Sequence, residues 1–242
     1  MKDMHSHLLY GIDDGSKDIS ESITLLKEAE KQGITELMIT PHYIEDSKYN
    51  CNNKEKIKRF NELKEEVEKE KINIKLYLGN EVLINENILK LIKNKEITTL
   101  NNSKYILIEF PLGNMLYNTK DIIYNLIVKG YVPILAHPER YRIFQKHREH
   151  IEEYLRMGVL LQGNYKSLFG KYGRDAKKTL IYLLKNHKIT FLGSDCHHDG
   201  DFKIKKLKKK LKSILKNDNM VEDVLKNNFN KVILNENFSI KR

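Results

Sequence analysis

Seven short β-type segments alternate with helical segments along the chain, and this alternation constrains the fold more than any other feature. The predicted strands read KDMHSH, ITELMIT, INIKLYLG, KYILIEF, YVPILAH, GVLLQGN and KITFLGS. Apolar residues recur at helical spacing between them, near residues 20–32, 55–70, 119–129, 146–157, 174–187 and 203–216. Such alternation is typical of α/β proteins with a parallel sheet, which is either doubly wound or closed into a barrel.

No repeat or low-complexity linker divides the 242 residues. Because an α/β barrel of this length commonly forms one domain, we expect residues 1–242 to be a single domain. No apolar run is long enough to span a bilayer, and the first residues do not resemble a signal peptide. Two cysteines, Cys51 and Cys196, are too few for a disulfide framework, so the sequence predicts a cytoplasmic protein.

The net charge of +10 comes largely from lysine and is densest in FKIKKLKKKLKSIL. Apolar residues recur at helical spacing in this run, so its lysines are predicted to form the solvent-exposed face of an amphipathic helix. A basic surface could still meet nucleic acid, anionic lipid or an acidic protein segment. The sequence contains no helix-turn-helix, zinc-finger or RNP-type signature, so we expect no nucleic-acid partner.

Ionisable residues follow the C-terminal ends of the predicted strands. His5 and His7 end the first strand, where side chains two residues apart point to the same side. Asp13 and Asp14 lie in the loop that follows. The later strands are followed or ended by His42, Glu81, Glu109, His137, Asp195 and His197. In a parallel barrel all of these strand ends meet on one face.

Bringing so many ionisable groups together without a cation would cost desolvation and repulsion, so the pattern predicts a metal cluster. Imidazoles mixed with carboxylates suit manganese, iron or zinc, and their number implies two or three ions. Any one of these residues alone could instead be an ordinary hydrogen-bonded group. His147, His150, His187 and His198 are predicted to be surface residues of that kind. Cys196 should point away from the cluster by strand alternation.

The segments MHSHLLYGIDDGS, TPHY, GNEV, YILIEFP, AHPERY and SDCHH together resemble the polymerase-and-histidinol-phosphatase (PHP) family. Within it, the chain is similar to the bacterial manganese-dependent tyrosine-protein phosphatases of the CpsB/CapC/YwqE type. The resemblance covers essentially the whole chain. It implies a distorted (β/α)7 TIM-like barrel with a three-metal manganese centre. It also implies hydrolysis of phosphotyrosine on a membrane-associated tyrosine autokinase of capsule or exopolysaccharide synthesis.

The same resemblance implies roles for individual residues. Arg140 of HPERY corresponds to a phosphate-binding arginine of the family; the alternative is a surface ion pair with Glu139 or another acid. A second family arginine is missing, because Asp201 lies near its expected place and only Lys203 could substitute. The implied metal ligands are His5, His7, Asp14, His42, Glu81, Glu109, His137, Asp195 and His197.

Two other functions remain open from the sequence. One is a PHP phosphoesterase acting on histidinol phosphate or another small phosphomonoester. The other is a non-catalytic metal-binding partner of a kinase or membrane complex. A thiol-dependent phosphatase is not expected, because neither cysteine precedes an arginine in a C-x₅-R motif.

Overall fold

The computed structural model describes residues 1–113, 117–198, 200 and 202–238, so Asp201 lies outside the described residues. Every strand pairing within them is parallel. The strands are β1 (Lys2–Asp3), β2 (Glu36–Ile39), β3 (His42–Tyr43), β4 (Lys75–Leu78), β5 (Glu81–Leu83), β6 (Tyr105–Glu109), β7 (Val132–Ala136), β8 (Leu160–Asn164) and β9 (Phe191–Gly193).

Helices follow most of the strands, which gives a mixed α/β fold. They are α1 (Ile19–Lys31), α2 (Asn53–Lys69), α3 (Ile88–Lys93), α4 (Thr119–Val128), α5 (Arg142–Lys146), α6 (His150–Met157), α7 (Gly173–Lys185), α8 (Ile204–Leu215), α9 (Asp218–Glu222) and α10 (Asn228–Ile233). Short 3-10 turns occur at Leu100–Asn102, Pro138–Arg140 and Tyr165–Phe169, and a π-helical turn at Asp223–Asn227 joins α9 to α10. Of the described helices, none has the length and apolar character needed to cross a membrane.

The strands form two sheets that share two bent chain segments. One sheet has the order β1-β2-β4, and the other has the order β3-β5-β6-β7-β8-β9. The chain passes from β2 to β3 and from β4 to β5 over two residues each. The bends stay paired with each other, because Gly79 N donates to Ile39 O at 2.9 Å and Glu81 N to Pro41 O at 3.1 Å.

The first and last strands of the chain also meet. Beyond β1, Ser6 forms an isolated parallel bridge with Cys196. Asp195 N donates to His5 O, and His7 N donates to Cys196 O, both at 2.8 Å. On its other side the same segment binds the bend after β2, where Thr40 N donates to Ser6 O at 2.8 Å. The N-terminal segment therefore lies between β2 and the end of β9.

The side chains that face inward from the strands, on the N-terminal side of these bends, form an apolar cluster. Tyr105 and Leu107 of β6 pack in one cluster with Phe191 of β9 and with Phe229 and Val232 of the C-terminal helical segment. The intervening Ile106 and Ile108 face the larger core under the helices. Because side chains alternate along a strand, Glu109 continues the series of Tyr105 and Leu107 and faces the interior at its C-terminal end.

All seven predicted strands are present, and β3 and β5 are additional. The helix predicted over 146–157 is wrong in its first residues, because 147–149 separate α5 from α6. The helices α3, α5, α9 and α10 were not predicted from the sequence. Cys196 is buried in the larger core, as strand alternation predicts.

Candidate metal centre

The nine side chains that the family resemblance implies as metal ligands converge at the C-terminal ends of the strands. The structure places ligand atoms of His5, His7 and Glu81 within 4.8 Å of one another. Apart from a separate group of His147, Glu149 and His150, two further groups have ligand atoms this close together: one is His42, Glu81 and Glu109, and the other is His7, Asp14, His42 and His197. The groups share members, so they form one continuous cluster.

The opening histidine pair lies at the floor of this cluster. His5 and His7 are fully buried, and their Nε2 atoms are 3.0 Å apart. The Nδ1 atom of His5 contacts Gln162 Oε1 at 2.8 Å, and the Nδ1 atom of His7 contacts Asp13 Oδ2 at 2.7 Å. Because an amide oxygen and a carboxylate both accept hydrogen bonds, these partners favour a proton on Nδ1 and leave each Nε2 lone pair facing the centre.

Glu81 is the central carboxylate. Its Oε2 atom lies 3.1 Å from His5 Nε2 and 3.2 Å from His7 Nε2. The same oxygen is 3.1 Å from His42 Nδ1, while Oε1 is 2.9 Å from His137 Nε2. Both oxygens of Glu81 therefore face imidazoles and would be available to hold a metal.

The remaining groups form the walls of the cluster. Glu109 Oε1 is 3.1 Å from His42 Nδ1, and Glu109 Oε2 is 3.9 Å from His137 Nε2. Asp14 is about half exposed, and its Oδ1 lies 3.7 Å from His42 Nε2 and 3.6 Å from His197 Nε2. Asp195 Oδ1 completes the wall at 3.5 Å from both His7 Nε2 and His197 Nδ1.

The unsatisfied atoms of the cluster test whether a metal fits. Glu81 Oε2, His42 Nδ1 and His137 Nδ1 are buried without a hydrogen-bond partner among the described residues. Unpaired buried polar atoms are costly, and two of these three, Glu81 Oε2 and His42 Nδ1, face each other across the centre. Imidazole and carboxylate ligands without thiolate suit manganese, iron or zinc. The residues present therefore fit metal ions held between them.

The charges of the cluster compensate one another. Burial disfavours the charged imidazoles, but the surrounding carboxylates outweigh it and raise the pKa of His7 to about 9 and that of His42 to about 10. Burial also opposes ionisation of Glu81, yet His5 and His42 hold its pKa well below the usual range. Burial and the neighbouring His7 lower the pKa of His197 to about 4. Divalent ions would bind here by displacing protons from the imidazoles.

The loop after β1 supports the cluster through Asp13. Its Oδ2 accepts from His7 Nδ1 and also from His42 N at 2.8 Å, so one carboxylate orients two ligand-bearing segments. Gly15 allows this loop to reach His7, because a Cβ atom there would lie 1.9 Å from the His7 carbonyl oxygen. The sequence analysis placed Asp13 on this face but gave it no role.

Asp13→Asn is expected to weaken metal binding roughly 10- to 100-fold, the usual effect of losing a carboxylate that orients a ligating histidine. The amide can present its NH₂ to His7 Nδ1 and disturb the tautomer. Metal affinity, measured by competition with a chromogenic chelator, checks this. Asp18→Asn is the matched control, because Asp18 caps α1 and asparagine caps equally well. Equal metal affinities for the two variants would contradict the role of Asp13.

Arg140 lies at the rim of the cluster, in the turn after β7. Its Nη1 donates to Asp195 Oδ2 at 2.9 Å, on the carboxylate oxygen that faces away from the histidines. Glu139 points elsewhere: it is fully buried, and its Oε1 accepts from Asn164 N and Ser167 Oγ. Arg140 therefore pairs with a cluster carboxylate and not with its sequence neighbour.

Two supporting residues were missed in the sequence. Gln162 orients His5, and Asn164 donates to Asp195 Oδ2 at 2.8 Å. Both lie in β8, and their i and i+2 spacing, the spacing of the opening histidines, could have indicated a shared face. The exposed residues His147, His187 and His198 lie outside the cluster, as does His150. Lys203 is exposed and immediately precedes α8.

Comparison with known proteins gives consistent matches over most of the chain. The family described as capsular polysaccharide synthesis, CpsB/CapC, matches residues 1–234. CapC of Staphylococcus aureus is 37% identical over 232 residues, which cover 91% of each chain. The tyrosine-protein phosphatase CpsB of Streptococcus agalactiae is 30% identical over 203 residues, 82% of this chain and 83% of that one.

Among solved structures, the chain superposes with a TM-score of 0.87 and 26% identity on one from the crystal structures of YwqE from Bacillus subtilis and CpsB from Streptococcus pneumoniae. These are described as unique metal-dependent tyrosine phosphatases. The match covers 99% of this chain and 96% of the other. Histidinol phosphate phosphatase from Lactococcus lactis shares the fold at a TM-score of 0.57 and 18% identity.

Proposed function

The chain belongs to the CpsB/CapC family of capsular polysaccharide synthesis, and from this premise we propose that it is a metal-dependent protein-tyrosine phosphatase acting on a cognate tyrosine kinase. The observation that carries the proposal is the buried Glu81 carboxylate between His5, His7, His42 and His137, with Arg140 at the rim. This arrangement would supply metal ligands and a phosphate-binding group side by side at the C-terminal ends of the strands.

The nine converging residues would hold two or three divalent ions, with manganese as the proposed metal. When bound, such ions lower the pKa of coordinated water and neutralise charge on phosphoryl oxygens. The surrounding protein contributes a buried, fixed set of donors, so little reorganisation accompanies binding of the phosphoryl group. Asp13 and Gln162 hold His7 and His5 in place from outside the cluster.

Arg140 is proposed to bind the phosphoryl group. One of its five N–H donors serves Asp195, and its side chain is 22% exposed, so part of the guanidinium remains accessible at the rim. A planar guanidinium matches two phosphoryl oxygens with paired hydrogen bonds. The phenolate leaving group has a conjugate acid with a pKa of about 10, so expulsion needs less acid assistance than that of an alkoxide.

Arg140→Lys is expected to lower kcat/KM for a phosphotyrosine peptide, and the decrease should correspond to a loss of about 2–4 kcal/mol of transition-state stabilisation. The reason is that an ammonium offers a point charge in place of a planar fork. The metal content should stay unchanged. Steady-state kinetics and elemental analysis on the same sample measure both quantities. Arg142→Lys, the same change at an exposed position two residues on, serves as the control. If both variants kept wild-type efficiency, Arg140 would have no phosphoryl-binding role.

The alternative substrate class is a small phosphomonoester such as histidinol phosphate. The chain shares its fold with a histidinol phosphate phosphatase at 18% identity, whereas phosphatases of the tyrosine type match at 30% over most of their length. Side-by-side assays of the manganese-loaded protein on a phosphotyrosine peptide and on histidinol phosphate separate the two. A higher kcat/KM for histidinol phosphate would overturn the proposal.

Further parts of the proposal concern the setting of the enzyme. The substrate would be the phosphotyrosine-bearing tail of a membrane-associated tyrosine autokinase, and its dephosphorylation would regulate capsule or exopolysaccharide synthesis. Because such a kinase uses ATP, the shared compartment would be the cytoplasm. A phosphatase variant with the cluster disrupted should raise the tyrosine phosphorylation of that kinase in cells.

We also infer that the two sheets are one distorted (β/α)7 barrel and that residues 1–242 form a single domain. The support is the bridge between Ser6 and Cys196, together with the two bent strand segments that each belong to both sheets. Counting β2 with β3 and β4 with β5 leaves seven strand segments. A single cooperative unfolding transition would support the single domain.

A further inference from the structure

Tyr172 lies directly against the Arg140 guanidinium. The guanidinium carbon is 4.6 Å from the centroid of the Tyr172 ring, within the range of a cation–π contact. Tyr172 immediately precedes α7, and it is partly buried, so its ring is held between the helix start and the rim of the metal centre.

The Tyr172 hydroxyl belongs to the same network as the cluster carboxylate. It accepts from Asn164 Nδ2 at 3.2 Å and donates to Asp195 Oδ2 at 3.4 Å. Asp195 Oδ2 also accepts from Arg140 Nη1 at 2.9 Å. The ring plane and the Asp195 carboxylate therefore restrain the guanidinium from two directions.

Without the ring, the bond to Asp195 would be the only contact among the described residues that restrains the Arg140 head group. A single hydrogen bond leaves the guanidinium free to rotate about that contact, and a paired contact with two phosphoryl oxygens needs its plane to be fixed. The hydrogen bond to Asp195 explains why Arg140 lies near the cluster. It does not by itself set the orientation of the free edge of the guanidinium.

We propose that Tyr172 is the positioning residue for phosphoryl binding, because its ring fixes the plane of the Arg140 guanidinium at the rim of the centre. The inference rests on the proposed function for its substrate, a phosphotyrosine peptide. It extends that function by assigning the orientation of the phosphate-binding group to an aromatic face. Tyr172 touches Arg140 and not the reacting atoms.

The test compares Tyr172→Leu with Tyr172→Phe in the manganese-loaded full chain. The leucine variant loses the aromatic face, and its affinity for inorganic phosphate, measured by calorimetry, should fall roughly 5- to 30-fold, the effect of a partly buried cation–π contact. The phenylalanine variant keeps the face and should stay within about threefold of wild type. Both should keep their manganese, measured by elemental analysis of the same samples.

A double-mutant cycle distinguishes positioning from a general structural effect. In the Arg140→Lys background, Tyr172→Leu should weaken phosphate binding by less than about twofold, since the planar group it orients is gone. The matched control is Tyr182→Leu. The guanidinium carbon of Arg148 lies 4.9 Å from the centroid of the Tyr182 ring, but Tyr182 lies farther along α7. This control should bind phosphate like wild type.

Three outcomes would overturn the inference. They are equal losses for the leucine and phenylalanine variants, loss of manganese from Tyr172→Leu, and additive effects in the cycle with Arg140. The first two outcomes would instead assign the effect of Tyr172 to the hydrogen bond between its hydroxyl and Asp195. Because phosphate binding is measured without turnover, a failure of the phosphotyrosine assay would overturn the proposed function while leaving this result intact.

Discussion

Removing divalent metal is expected to lower turnover of a phosphotyrosine peptide by about a thousandfold or more. The residues that would hold the ions include Glu81, whose Oε2 lies 3.1–3.2 Å from three imidazoles and has no hydrogen-bond partner among the described residues. Metal ions in such centres contribute several kcal/mol of charge stabilisation in addition to activating water, and about 4 kcal/mol corresponds to a thousandfold.

The measurement is chelation followed by dialysis and add-back of single metals. Manganese should restore turnover, with iron or zinc as weaker substitutes, and calcium should not, because calcium prefers all-oxygen coordination. Calcium is thus the matched control for a non-specific effect of divalent charge. Elemental analysis shows whether the chelated protein is free of metal. If that protein kept full activity, the hypothesis that this cluster is a metal centre would be contradicted.

His7→Ala is expected to lower kcat by roughly three orders of magnitude or more and to reduce the metal content. His7 belongs to two of the overlapping ligand groups, one with Glu81 and one with Asp14 and His197. Its loss should therefore affect more than one ion. Circular dichroism should show a native fold, because His7 lies at the edge of the strands and not within the apolar core.

The control for this change needs a histidine outside the cluster. His187 is exposed in the turn after α7 and has a φ of 56°. His187→Asn is the better choice than alanine there, because asparagine tolerates the left-handed region. It should leave kcat and metal content unchanged. Comparable losses of kcat and metal content in His187→Asn and His7→Ala would contradict a specific role of His7 in the cluster.

The sequence predicted most strand positions well because β2, β4, β6 and β7 are largely apolar runs. The strands β3 and β5 were not predicted, since two or three residues carry no periodicity. They pair because the bends after β2 and β4 bring β3 beside β5 and β5 beside β6, which is a tertiary effect. Their first residues are His42 and Glu81, so these side chains were correctly placed near strand ends without their own strands being seen.

The C-terminal helices could have been predicted. Val221, Val224, Leu225, Phe229 and Val232 have helical spacing and are buried. By contrast, Gln162 and Asn164 read as ordinary polar residues in a strand, and their contacts with His5 and Asp195 depend on neighbouring strands. Tyr172 carries no signal at all in the sequence. Residues that support ligands from another segment are found only from the fold.

The hydrogen bonds between the segment after β1 and the segment after β9 have a consequence for the order in which the protein folds during synthesis. Ser194 Oγ donates to His5 O across 189 residues of sequence, and Asp195 and His197 face the opening histidine pair. At roughly 5–20 residues per second, synthesis of the intervening chain takes roughly 10–40 s. The proposed metal centre therefore cannot be complete on a ribosome-bound fragment that lacks Asp195 and His197. Metal loading would be a late event, coupled to the long-range pairing that is slowest to form.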